Sequence, residues 1–257
     1  MIIFKKAVMM ATIKNIKDEL TKQQKENIGD ILAELENEKE IIDHIIDCIN
    51  ECESPKGENQ IQTIFKAFDL FDINQTKILI IGQDPYSDSD KAHGLAFSVK
   101  KEGKNDDSLH NIFKAISDYN KKSFENWGTN LETWAKDNNV LLLNAALTHK
   151  NKDTIGKHIE SWVPFINKII KKLIKTENKL VVFLWGNKAQ DCFFNAIKEM
   201  SKTNPKECIL NNKMILMTSH PSNRGKAVNL GFSEDAAKHF KACDDFLGKP
   251  TWLNFSP

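Results

Sequence analysis

The chain reads as an α/β protein with three layers, α/β/α, around a central four-stranded, mostly parallel sheet. Two observations predict this. Four short apolar runs, Lys77–Ile81, Val140–Leu143, Lys179–Trp185 and Lys213–Met217, have the length of strands. Amphipathic, helix-like segments lie between them, around Leu109–Tyr119, Trp162–Ile174 and Ala189–Met200. Apolar runs without polar alternation are the mark of strands buried on both faces, as in a parallel sheet covered by helices.

Ahead of the first strand, Ile31, Leu32, Leu35, Ile41, Ile42, Ile45 and Ile46 recur at helical spacing. The polar stretch Glu51–Asn59, with Ser54, Pro55 and Gly57, reads as a loop. The expected organisation is therefore a helical extension over 1–53, packed on or appended to a catalytic domain over 54–257. A chain of 257 residues suits one sizeable domain with a real core.

The net charge is +1, so global charge gives no sign of a nucleic-acid partner, and any phosphate contact must come from local cations or helix N-termini. The opening MIIFKKAVMM is too short and too broken by lysines for a secretory signal, and no apolar run is long enough to span a bilayer. The five cysteines are Cys48, Cys52, Cys192, Cys208 and Cys243, and none has CxxC spacing. They read as free thiols in a reducing compartment, hence a cytoplasmic protein, or a nuclear or organellar one in a eukaryote. Cys48 and Cys52 fall on one face of a predicted helix and are expected to pack rather than to bind metal.

The segments just beyond the strands are more informative. The first strand leads into Gly82-Gln83-Asp84-Pro85-Tyr86, the second into Asn144-Ala145-Ala146-Leu147-Thr148. The third ends at Gly186-Asn187-Lys188-Ala189-Gln190, the fourth at Ser219-His220-Pro221-Ser222. Open parallel sheets bind ligands at the carboxyl ends of their strands. A carboxylate, an amide and an imidazole are thus delivered to one edge. Taken singly, Asp84 could start a turn, Asn144 could cap one, His220 could be structural, and Tyr86 and Phe97 could be core aromatics. Their convergence favours a site.

Together these groups suit cleavage of a glycosidic bond. An aspartate can orient a water and stabilise an oxocarbenium-like centre. An imidazole can donate to the oxygen of a leaving base. An Asn side chain, with one donor end and one acceptor end, matches a pyrimidine edge. No metal or cofactor is called for, and the phosphate-loop, dinucleotide, nucleophile-elbow and deaminase motifs are all missing from the sequence.

The segments Gly82–Tyr86 and Ala92–Val99 closely resemble the motif of family 1 uracil-DNA glycosylases. Leu141–Thr148, Leu184–Gly186 with Ala189-Gln190, and His220–Ser222 resemble that family's later motifs, in the same order and spacing, from about Ser54 to Phe246. The resemblance implies a divergent member acting on uracil-containing DNA, single- or double-stranded, as a monomer without cofactor. It implies that Asp84 positions the water and that His220, as a neutral donor, stabilises the uracil anion. Asn144 would read the base edge, Phe97 would stack on the flipped base, and Tyr86 would exclude thymine's methyl. Gln83 would form the pocket floor through its backbone. Ser108, Ser222, Gly186 and Asn187 would grip phosphates. A protein inhibitor that mimics DNA could occupy such a groove, although no residue predicts one.

Three departures stand out. The family's His after Pro-Tyr, thought to support the aspartate, is Ser87 here, so that support is either lost or moved to another group. The proline-rich loop before the gripping serine reads Lys101–Ser108, where Asp106 and Asp107 would repel phosphate unless Lys101 and Lys104 offset them. The wedge loop reads Asn223-Arg224-Gly225, so Arg224 stands where a leucine fills the hole left by the flipped base. It either takes that wedge place or merely contacts phosphate. The competing reading is a DNA-binding replication or repair accessory protein with this fold and reduced or altered excision activity.

Overall fold

The four apolar runs form one sheet: β1 (Ile78–Gly82), β2 (Val140–Asn144), β3 (Leu180–Trp185) and β4 (Lys213–Thr218). The computed structural model describes residues 11–100, 107–203, 210–222 and 229–252. Strand order is β2-β1-β3-β4, and every pairing is parallel. The mostly parallel sheet expected is thus fully parallel among the described residues. β1, β2 and β3 are buried at every position, and β4, at the sheet edge, is only half-buried.

Among the described residues, five α-helices come after the first strand: α5 (Asp107–Asn120), α6 (Glu132–Asn138), α7 (Ile155–Lys175), α8 (Asn187–Thr203) and α9 (Asn229–Leu247). On one side, α9 lies on β3 and β4 and packs along α5; α8 contacts β1 and β3 and packs along α7. Phe183 and Trp185, two apart on β3, share a sheet face and both meet Phe240 of α9, with ring centroids 5.5 and 6.4 Å away. α7 begins well before the expected Trp162. Its buried residues Trp162, Phe165, Ile166, Ile169, Ile170, Leu173 and Ile174 make one apolar stripe; ahead of it His158 is buried and Ile159 packs on the core, among the exposed Gly156, Lys157 and Glu160.

The N-terminal region folds as α1 (Ile13–Glu19), α2 (Lys22–Glu36) and α3 (Lys39–Asn50), with a short α4 (Gln60–Ile64) after the loop. A capping box opens α2: Thr21 accepts from the Gln24 amide, and Gln24 Oε1 accepts from the Thr21 amide. The buried Asn27 side chain donates to the Phe68 and Phe71 carbonyls and accepts from the Ile73 amide. α2 and α3 pack on α7, and their apolar faces join the same core as the sheet. Cys52 lies beyond the end of α3, so it does not share a helix face with Cys48 as the spacing predicts. The His149 carbonyl accepts from the Glu53 and Ser54 amides and draws the chain out of the helix.

β1, β2 and β4 each run one residue further than the apolar pattern indicates, to Gly82, Asn144 and Thr218. Parallel pairing continues through Gly82↔Asn144 and Trp185↔Thr218. The first polar residue after β2's apolar run is therefore held by the sheet itself, which fixes where Asn144 stands.

Candidate active site

A cavity of about 440 Å³ opens at the carboxyl edge of the sheet. Its wall is built by the loops after β1 and β2, which hydrogen-bond to each other: the Ala145 amide donates to the Gly82 carbonyl (2.9 Å) and the Ala146 amide to the Gln83 carbonyl (3.0 Å). Gln83 thus joins the two loops through its carbonyl, and it lines the cavity. Asn144 is buried against Gly82. A Cβ on Gly82 would come within 2.3 Å of Asn144 Oδ1, so only glycine leaves the amide its place.

The Ala92–Val99 segment closes the pocket from a second side. The Ala96 amide donates to the Leu142 carbonyl (3.1 Å), and Tyr86 Oη donates to the Phe97 carbonyl (3.1 Å). Phe97 has φ of +62°, a conformation that L side chains rarely adopt. Such backbone persists only where its surroundings fix it, and it clusters at functional sites. Its ring meets Trp185 edge-on at 5.5 Å and lies 6.0 Å from the His220 ring. Asp84, Tyr86, Phe97, Asn144 and His220 all line this one cavity.

His220 is held by its own loop. The Ser222 amide donates to His220 Nδ1 at 3.0 Å, and Ser222 Oγ lies 2.8 Å from the same nitrogen. A backbone N–H can only donate, so Nδ1 is an acceptor and the neutral ring carries its proton on Nε2. The imidazole is thereby set as a neutral donor. Gly186, with φ of +89°, lies beneath it: a Cβ there would approach His220 Cβ to 2.8 Å. The Asn111 side chain of α5 donates to the Pro221 carbonyl (2.6 Å), tying the loop to the helix that carries Ser108.

Asp84 meets a residue that no motif singled out. His149 Nδ1 lies 2.8 Å from Asp84 Oδ2, and both side chains are largely buried. The sequence leaves open whether support for the aspartate moves elsewhere when Ser87 replaces histidine. The structure places an imidazole on Asp84 from the loop after β2, while Ser87 lines the cavity as an exposed residue. His93 also lines the pocket. Its Nε2 is 2.6 Å from Ser98 Oγ, and burial lowers its pKa to about 4, so it is neutral at ordinary pH.

The groups read as phosphate grips separate in space. Ser108 and Ser222 line the cavity; Gly186 and Asn187 do not. Arg224 and the Lys101–Asp106 segment lie outside the described residues, as does Cys208. Lys152, which the motifs passed over, lines the cavity with Ile155 and brings a cation there.

One cluster outside the pocket has metal-ligand chemistry: Cys48, Glu51 and His158, with ligand atoms within 4.8 Å of one another. It is poorly suited to a cation. Hydrogen bonds from Lys157 and Lys150 hold Glu51 down to about 2, and burial pushes the Cys48 thiol up. An ion there would sit beside two ammonium groups and would need a thiolate that burial disfavours. Among the described residues no helix is long and apolar enough to cross a membrane.

Against known proteins, the sequence profile of the Uracil DNA glycosylase superfamily matches residues 68–247. A uracil-DNA glycosylase from Flavobacterium johnsoniae is 38% identical over 193 residues, covering 75% of this chain and 78% of that protein. One from Campylobacter jejuni is 37% identical over 187 residues, 72% of each. Among solved structures, mimivirus uracil-DNA glycosylase superposes with a TM-score of 0.66 at 17% identity, covering 96% of this chain and 88% of that one. The wild-type UNG of Nitratifractor salsuginis gives 0.54 at 18% identity, covering 82% and 96%. At such identities the two structures speak for the fold alone.

Proposed function

The chain belongs to the uracil DNA glycosylase superfamily, as a divergent member, and on that premise we propose that it hydrolyses the N-glycosidic bond of uracil in DNA. The observation that carries the reading is the convergence on one cavity of Asp84, Asn144, Phe97 and a His220 set as a neutral Nε2 donor.

In this reading the target nucleotide leaves the stack, because its sugar bond cannot be reached inside a duplex. Phe97 stacks on the base, Asn144 reads its edge, and the Gln83 backbone forms the floor. Tyr86 fills the space beside C5; without such a wall one methyl group is discriminated by only ~1–3 kcal/mol. The C1′–N1 bond breaks and its electron pair leaves with uracil as an anion. His220 Nε2–H donates to the oxygen where that charge gathers. Asp84 stabilises the sugar cation, orients a water, and accepts its proton as the water oxygen bonds to C1′. The residues supply this chemistry without metal or cofactor. Ser108, Ser222, Gly186 and Asn187 contact phosphates, and Arg224 fills the gap in the duplex or contacts phosphate. The protein acts as a monomer in a reducing compartment, the cytoplasm or its eukaryotic equivalents.

The test is release of free uracil from a uracil-containing oligonucleotide by the intact chain. Absence of release from both single-stranded and duplex substrate would favour the non-catalytic accessory reading instead.

A further inference from the structure

We infer that His149 is a positioning residue for Asp84: its Nδ1–H holds the carboxylate in the orientation from which it acts on the reacting water. The inference rests on the glycosylase reading above and names a residue of that site which the motifs do not contain.

The contact is short and its donor is immobile. His149 Nδ1 lies 2.8 Å from Asp84 Oδ2, and the His149 side chain is 6% exposed against 20% for Asp84. A carboxylate can only accept, so Nδ1 carries the hydrogen and donates it. The His149 backbone is fastened on both sides. Its amide donates to the Ser54 carbonyl at 2.8 Å, and its carbonyl accepts from the Glu53 and Ser54 amides at 2.8 and 2.9 Å. Ser54 Oγ in turn donates to the Tyr86 carbonyl at 2.5 Å, two residues past Asp84. The preceding Thr148 is fully buried, with Trp162 Nε1 donating to its Oγ1 at 2.8 Å.

The consequence for the chemistry is directional. Asp84 lies in the bend after β1, and the terminal torsion of a carboxylate is intrinsically broad. A hydrogen bond from a fixed imidazole to Oδ2 restricts that rotation. The carboxylate is thereby held in the orientation from which it meets the water and the sugar cation. A group placed this way acts through geometry, so its loss should reduce turnover more than substrate binding.

The test compares His149→Leu with His149→Asn in the intact chain, measuring single-turnover uracil release, KM and Tm. Asn can place an amide N–H near the Nδ1 position; Leu cannot. We expect kcat of His149→Leu to fall roughly 10- to 100-fold, with KM changed less than about threefold and much of the rate restored in His149→Asn. In an Asp84→Asn background the same Leu substitution should cost less than about threefold, because the two residues act as a unit. A Leu variant as fast as wild type, an Asn variant as slow as Leu at equal Tm, or the same loss in both backgrounds overturns the inference. NMR of isotope-labelled histidine decides the contact independently of activity. His149 must be protonated at Nδ1, with a resonance that shifts in Asp84→Asn; an unprotonated Nδ1 overturns the inference. A wild type that carries this resonance yet releases no uracil would sink the glycosylase reading and leave the Asp84–His149 contact standing.

Discussion

Gly82→Ala isolates the seat of Asn144 with a single methyl group. Gly82 is the last residue of β1, paired with Asn144 of β2, and its φ is not in the left-handed region, so alanine suffers no backbone strain there. What the new Cβ meets is Asn144 Oδ1 at 2.3 Å and Ala96 Cβ at 3.0 Å. Ordinary contacts begin near 3.4 Å, so the Asn144 amide must retreat by about 1 Å. A misplacement of that size in a substrate-positioning group costs on the order of 100-fold, or about 2.7 kcal/mol in the barrier. Overpacking adds a stability cost of about 1–3 kcal/mol. The assay is kcat/KM for uracil release, measured well below the Tm of the variant, beside Asn144→Ala and the double substitution. The double variant should be scarcely slower than the slower single one, since both changes remove the same contact. A folded Gly82→Ala protein that works within about threefold of wild type would refute the placement of Asn144 against β1.

Other parts of the molecule lead to three further expected outcomes. His93 titrates near 4 in the folded protein against 6.5 when unfolded, so the unfolded chain binds the extra proton first. Stability is therefore lost as pH falls from about 6.5 to 4, by up to about 3 kcal/mol, and Tm should vary less over that range in His93→Gln. Lys152→Ala should weaken binding of uracil-containing DNA whatever its sequence and lower the slope of log K against log salt by about one; an unchanged slope would show that Lys152 does not contact phosphate. Arg224→Ala should slow release from duplex more than from single-stranded substrate if the side chain fills the gap left by the flipped base, and equal loss on both would show that it does not.

Much of the fold is legible in the sequence because β1, β2 and β3 are buried on both faces and so announce themselves as unbroken apolar runs. The site is legible for a related reason: each strand hands its first polar residues to one edge, so Asp84, Asn144 and His220 can be grouped from the sequence alone. His149 escapes because its position depends on the bridge to Ser54, a pairing between distant segments that local spacing does not encode. The available signal is weak, a histidine directly after Leu147-Thr148 in the loop that follows Asn144. Ser222 reads as a phosphate grip because its motif suggests one. Its amide and hydroxyl on His220 Nδ1 show a task that no motif suggested, setting the tautomer. The start of α7 is hidden because its first turns hold only two apolar side chains, Ile155 and Ile159, among Gly156, Lys157, His158 and Glu160, so the apolar stripe is sparse there.

The central claim, that this cavity cleaves the uracil N-glycosidic bond through Asp84 and His220, is tested most directly by counting free uracil released from a uracil-containing oligonucleotide by wild type, Asp84→Asn and His220→Leu. Wild type should release uracil without added metal, and each variant should be slower by roughly 100-fold or more while folding and binding DNA normally. Wild-type protein that releases no uracil, or variants that release it at the wild-type rate, would contradict the account.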